Sequence, residues 1–394
     1  MRASMVRYQR AHSPERWTAV HTRLAQAHAA WRTRVEEDLT APWPWGKAHW
    51  RRHHMDETYH RLCARPTAGL PAALEQAVHA AGHSESALRQ WTDLLERAAR
   101  DTADTGLHTW AERLRAAVTG AEPPLTALTA LLTRGGLDTT SRAWAHAHRG
   151  WCHVMAERYE GAEADLDRAV ALDPRDSPAR LFRGQLYDRM GLLDQAVADF
   201  DSVLEINPAY AWALLSRGRA CRQAGRYDRA VADFTAALEI NPGYAWAQAR
   251  RGTAHRRAGR YRQAREDVEQ ALRAEPDNLT HLFDRVLLDT LESGFAASRQ
   301  RWAELLTSPV AHPGDETGST TLLTLFRVLL LRPERPVDEA AEEFLSAGPT
   351  PEARTDLLHC LRELSDSADE PATRARRCHE IIAGHPPTLG SAPG

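Results

Sequence analysis

No segment of the chain alternates apolar and polar residues for long enough to read as a strand, which sets sheet architectures aside. Cysteine is sparse: Cys63, Cys152, Cys221, Cys360 and Cys378 are odd in number and never in CxxC spacing. Neither a disulfide framework nor a thiolate metal site follows, and the expectation is reduced thiols in a cytoplasmic protein. Long apolar runs are missing too. The longest, 321–331, contains Arg327 and is too short to span a bilayer, so no membrane partner is expected. The first ten residues are charged without an apolar stretch, which argues against a secretory leader. No charge sign dominates: 50 basic residues oppose 53 acidic ones, a net charge of −3. Nucleic-acid binding by phosphate neutralisation is therefore disfavoured.

The motifs of common chemistries are absent as well. There is no GxxxxGK[ST], GxSxG, HExxH or GxGxxG, and no deaminase-type HxE with CxxC. No catalytic residue and no cofactor is expected. The best metal suspect is the stretch His49, Trp50, His53, His54 and His60, in which His49 and His53 stand one helical turn apart. Asp56 and Glu57 are near, but no convincing ligand set is completed, so the cluster reads as a core edge and no metal is expected. His146 and His148 fall on different helix faces.

What the chain does contain is a repeat. Gly150, Gly184, Gly218 and Gly252 stand 34 apart (184 − 150 = 34, and onward), as do Ala162, Ala196, Ala230, Ala264 and Pro174, Pro208, Pro242, Pro276. Three columns in one register mark a solenoid of stacked units over 143–278. In the copy starting at Ala211, helical apolar spacing runs to about Gln223, Gly225-Arg226 interrupts it, and Tyr227 to Ile240 resumes it. Asn241-Pro242 then stops it, since proline lacks an amide donor and disfavours helix in the residue before it. Each unit is helix, turn, helix, stop. Gly218 and Ala230 fall where the two helices cross most closely. A mid-helix glycine costs about 1 kcal/mol, which close approach can offset.

These residues resemble the tetratricopeptide repeat family, whose units carry Gly at position 8, an aromatic at 17, Ala at 20, an aromatic at 24, Ala at 27 and Pro at 32. Gly218, Tyr227, Ala230, Phe234, Ala237 and Pro242 match every position, and the copies from Ala143, Ser177 and Ala245 match most. The resemblance covers roughly a third of the chain. It implies an all-α protein, an α-solenoid of stacked antiparallel helix hairpins with irregular helical flanks. A degenerate fifth unit is expected at 279–310, with Phe295 and Trp302 in the aromatic columns but Val286 and Ser298 in the small ones. Arg149, Arg183, Arg217 and Arg251 precede the glycines, and Asp165, Asp199, Asp233 and Asp267 follow 16 later, a spacing read as structural ion pairs.

The flanks read as an N-terminal helical region over 1–135 and a C-terminal helical cap over 321–383, ending in a disordered tail at 384–394. Ser13-Pro14-Glu15 reads as a helix start, with a break at 41–46 and further helices at 47–63, 71–81, 84–100, 107–119 and 124–132. C-terminal helices are expected at 321–331, 337–346, 352–365 and 371–383. Tyr8 to His12, Trp17 to His21 and Tyr59 to Leu62 look like the region following the nucleotide-binding core of bacterial STAND-class signalling ATPases. That likeness implies a sensor arm of a signalling system without its ATPase.

Positions 2, 5, 9 and 12 of a unit fall within about 80° of one another on a helical wheel, opposite the positions facing the second helix. The resemblance makes this stripe the concave wall. It carries Trp144, Leu181, Gln185, Trp212, Leu215, Arg219, Arg222, Trp246 and Arg256, flanked by Arg189, Arg250 and Arg257. Tryptophan and arginine recur at binding hot spots. The expected function is a non-catalytic adaptor gripping a protein or peptide segment with acidic and apolar residues. The tryptophan column also reads as packing between units, and the arginine-rich unit from Ala245 leaves nucleic acid as an alternative.

Overall fold

The computed structural model describes residues 10–37, 44–134, 136–175, 177–307, 326, 335–346, 351–365 and 370–385. Residues 1–9, most of the helix expected at 321–331 and the tail from 386 lie outside the described residues. All regular structure among the described residues is helical. The chain divides into two compact units, Met1–Leu186 and Tyr187–Gly394.

The first unit holds α1 (Pro14–Glu37), α2 (Ala48–Ala64), α3 (Pro66–His83), α4 (Glu85–Thr102), α5 (Thr105–Val118), α6 (Pro123–Arg134), α7 (Thr139–Met155) and α8 (Tyr159–Leu172). Sequence neighbours pair along this order, and α3 also meets α6 and α7. Side-chain caps start several helices: Ser84 accepts from the Ala87 amide (3.1 Å), Asp104 from Leu107 (2.9 Å) and Asp138 from Ser141 (2.7 Å). Helix α3 begins five residues before the expected start at Pro71. Pro66 takes the first turn, where a missing amide costs nothing, and Pro71 sits inside the helix. The core gathers Trp45, Trp50, Leu62, Leu74, Trp91, Leu95 and Leu114. Each such side chain contributes on the order of 1.5–3 kcal/mol on burial. Trp91 satisfies its indole by donating to the Ala73 carbonyl at 3.0 Å.

Helix α9 (Ser177–Arg189) contains the boundary between the units. The second unit continues with α10 (Leu193–Ile206), α11 (Ala211–Gln223), α12 (Tyr227–Ile240), α13 (Ala245–Arg257), α14 (Tyr261–Ala274), α15 (Leu279–Ser293) and α16 (Phe295–Thr307). Three further helices, α17 (Val337–Ser346), α18 (Pro351–Leu364) and α19 (Glu370–Gly384), follow. Each of α10 to α15 pairs with the next in sequence, so the stretch is the expected stack of hairpins.

The 34-residue columns have visible causes. Gly191, Gly225 and Gly259 hold φ of 75°, 74° and 74° at the hairpin turns, a left-handed conformation that favours glycine. The column glycines mark close crossings. A Cβ on Gly218 would stand 3.0 Å from the Phe234 ring and 3.2 Å from the Asp233 Cβ, one turn along from Ala230. On Gly150 it would meet Leu166 at 2.7 Å. In the expected fifth unit, Val286, Ser298 and Trp302 are all buried, and the indole of Trp302 donates to Thr290 Oγ1 at 2.8 Å.

Candidate functional site

The arginine column acts as a set of clamps. Arg149 bonds Asp165 through Nε and Nη2, both at 2.7 Å. Arg217 does the same to Asp233 at 3.0 and 2.6 Å, and Arg251 to Asp267 at 3.0 and 2.6 Å. Such two-pronged pairs fix geometry as well as charge. A second partner lies 16 residues back: Arg217 also bonds Asp201 (2.6 Å), Arg183 bonds Asp167 (2.8 Å) and Arg251 bonds Thr235 (3.2 Å). The clamps of Arg217 and Arg251 therefore tie a hairpin to the preceding one. Burial pushes the Asp165 carboxyl up, yet bonds from His146 and Arg149 outweigh it and hold its pKa below the ordinary value.

The stripe of candidate residues divides by accessibility. In the first unit Leu181 and Gln185 are buried, so neither faces solvent. Trp144 is partly buried, its ring set edge-on to His79 at 4.9 Å and near His148 at 5.5 Å. Trp151 stacks on Phe182 at 5.0 Å. In the second unit Arg189 is exposed, Leu215 is partly buried, and Trp212 keeps 43 % of its surface open. Arg219 pairs with Asp188, itself a stripe position. Trp246 meets Phe234 edge-on at 6.2 Å and stacks beside Tyr244, with the Arg250 guanidinium 5.3 Å above its ring. For Trp246 the packing role is thus part of the answer.

Arg222 and Arg256 depart from the expected open wall. Both are buried, Arg222 completely. What covers them is the chain's own helix α18. Asp356 accepts from Arg222 at 2.7 Å, pairs with Arg257 and lies 3.9 Å from Arg250. Glu363 pairs with Arg256, which also stands 3.9 Å from Asp284 of α15 and 4.0 Å from Cys360 Sγ. Burial raises the Asp356 pKa, but Arg222, Arg257 and Arg250 more than reverse that and hold it well below the carboxylate range. The other face of α18 sends Leu357 and Leu361 into a core with Phe344, Cys378, Ile382 and Leu287. The helix is legible in the sequence as 352–365, whereas its contact with the arginines is not. The usable signal was the run Asp356, Cys360, Glu363, which lies on one helix face.

Four histidines of the first unit form two pairs, while His54 bonds Gln76 and His146 bonds Asp165. His21 and His60 approach to 2.8 Å between Nδ1 atoms, and His28 and His53 to 3.4 Å, while His49 is exposed. Among the described residues no group of three or more His, Cys, Asp or Glu is placed to hold a metal ion. No helix there is long and apolar enough to cross a membrane. All five cysteines are free, and burial drives the Cys63 and Cys360 thiols up to about 12.

Stacked hairpins clamped in register define a helical-repeat scaffold for protein interaction. Two Tetratricopeptide repeat family models match residues 181–245 and 222–282, so that span is made of tetratricopeptide repeats. Similar solved structures include the MamA protein, 18% identical over 43% of this chain and 90% of that one, with a TM-score of 0.39. MamA 41-end from Desulfovibrio magneticus RS-1 is 16% identical over 42% and 93%, at 0.40. YrrB, described as a TPR protein with an unusual peptide-binding site, is 21% identical over 48% and 97%, at 0.40. No curated protein matches the chain.

Proposed function

We propose that this chain is a non-catalytic adaptor whose inner repeat helices grip a protein or peptide segment carrying acidic and apolar residues. One observation carries the reading: four guanidiniums, those of Arg222, Arg250, Arg256 and Arg257, converge on carboxylates presented by a helix. Arginine's planar fork suits carboxylates, and the exposed indole of Trp212, at the other end of the helix that carries Arg222, offers a large accessible apolar contact. The ligand-facing set in the second unit is Trp212, Leu215, Arg219, Arg222, Trp246, Arg250 and Arg256, with Arg189 at its edge, while Trp144, Leu181 and Gln185 pack within the first unit. The hairpins α7–α8 and α15–α16 are, in this reading, further repeat units of the same kind. Nucleic acid fits less well, because Arg256 and Arg257 of the fourth unit are turned toward carboxylates and away from solvent.

Trp212→Ala combined with Arg219→Glu should weaken capture of a partner from the native cell at least tenfold, about 1.4 kcal/mol, with little change in melting temperature. Titration of the recovered partner against both chains, beside thermal melts, measures this. Equal affinity in a folded variant would move the binding surface elsewhere.

A further inference from the structure

We propose that α18 is a built-in occupant of the arginine wall: in the free chain it closes the inner face of α11 and α13, and the partner that replaces it is itself an acidic helix. This rests on the adaptor reading and names the partner's chemistry. Three observations support it.

The first is the shape of the match. Asp356, Cys360 and Glu363 follow at i, i+4 and i+7, so two carboxylates two turns apart line one face of α18. They meet arginines from two successive inner helices, Arg222 of α11 and Arg250, Arg256 and Arg257 of α13. Successive units thus offer basic groups at the pitch an acidic helix can follow.

The second is that the fit is incomplete. Four guanidiniums face the two carboxylates of α18 and Asp284 of α15. Nε of Arg256, and Nε and Nη1 of Arg257, are buried with no hydrogen-bond partner among the described residues. Buried donors left unpaired are costly, the more so on charged groups. A ligand bringing one more carboxylate to Arg257 recovers what α18 forgoes, and so can displace it.

The third is the separation of roles within α18. Leu357 and Leu361 belong to the C-terminal core, whereas Asp356 and Glu363 are spent on the repeat arginines. The acidic residues are not needed to build the C-terminal core. A tethered occupant competes at a high effective concentration, which lowers the apparent affinity of any free ligand by the fraction of open chain.

The test uses the full chain and a fluorescent peptide of residues 351–365. Asp356→Arg with Glu363→Arg expels the acidic face by repulsion. That variant should bind the peptide at least tenfold more tightly than the wild type. Adding Arg222→Glu, Arg256→Glu and Arg257→Glu restores complementary pairs inside the chain with the charges exchanged, and should abolish peptide binding while recovering the wild-type melt. If the arginine variant is unfolded by circular dichroism, Asp356→Asn with Glu363→Gln removes the charges without repulsion and carries the same expectation. Equal affinity in the wild type and a folded charge variant would overturn self-occupancy and leave the acidic-ligand reading standing. No binding to either chain would overturn both.

Discussion

At the scale of single residues, the repeat shows its logic where one copy breaks a column. Gly191, Gly225 and Gly259 occupy the left-handed turn between paired helices, and 34 residues before Gly191 stands Glu157, at φ 57°. A side chain there crowds its own backbone at a cost of roughly 1–2 kcal/mol. Glycine removes that cost but loses more backbone freedom on folding. Glu157→Gly should therefore stabilise by about 0.5–1 kcal/mol, whereas Gly225→Ala should destabilise by a comparable amount. Paired chemical denaturation curves measure both, and a loss of stability in the Glu157 variant would contradict the account. The clamp residues teach a related lesson. The pairing of Arg217 with Asp233 was legible from sequence, because both recur within one period. Its second bond, to Asp201, leaves no such signal, because only the stacking of successive hairpins brings that carboxylate within reach.

At the scale of elements, the flanking helices are legible to within a few residues except at α3, where Pro71 marks no start and lies inside the helix. Val337–Ser346 coincides with its expected span, and α4 starts directly after its capping Ser84. What escaped was the use of α18. A helix announces its apolar face by periodicity, but an ion pair such as Arg222–Asp356 joins residues 134 positions apart and leaves no local trace. The docking of this helix has a pH dependence with a definite sign. Burial, then the charge of Arg257, lowers the His359 pKa from 6.5 to about 4, so the folded chain holds it neutral where an unfolded segment would charge. Its stabilising effect is complete above about pH 6.5 and is lost as pH falls toward 4. Asp356, also held low, contributes above the ordinary aspartate pKa of about 3.9 and is lost only in stronger acid. Helix α18 should accordingly loosen in two stages on acidification. Hydrogen exchange across α18 should show the first stage between pH 6.5 and 4, and His359→Gln should remove it while leaving the second. A single transition, unchanged by that substitution, would assign the acid response elsewhere.

At the scale of the molecule, a stack of hairpins transmits damage along the chain by contact, because each unit touches mainly its sequence neighbours. In the second unit those contacts run from α10 to α16 in order. Ala230 is fully buried on α12, one turn before the Phe234 ring and Asp233 that already crowd Gly218. Ala230→Leu adds volume where the crossing has no space to give, and overpacking of this kind costs typically 1–3 kcal/mol. The same residue range carries the Asp233 clamp to Arg217, so a displaced α12 also strains the pairing of α11 with α10 through Asp201. Exchange rates should rise first in α11 and α12, next in α10 and α13, and last in α15 and α16. The order is the diagnostic quantity: a uniform rise across all seven helices would mean that this unit unfolds as one cooperative block, with the local clamps too weak to confine a defect. Because Arg222 sits on α11, the variant should also loosen α18 ahead of α15, although α15 touches the same C-terminal core. Observing that inversion would tie the stability of the repeat crossing to the closing of the arginine wall within a single measurement.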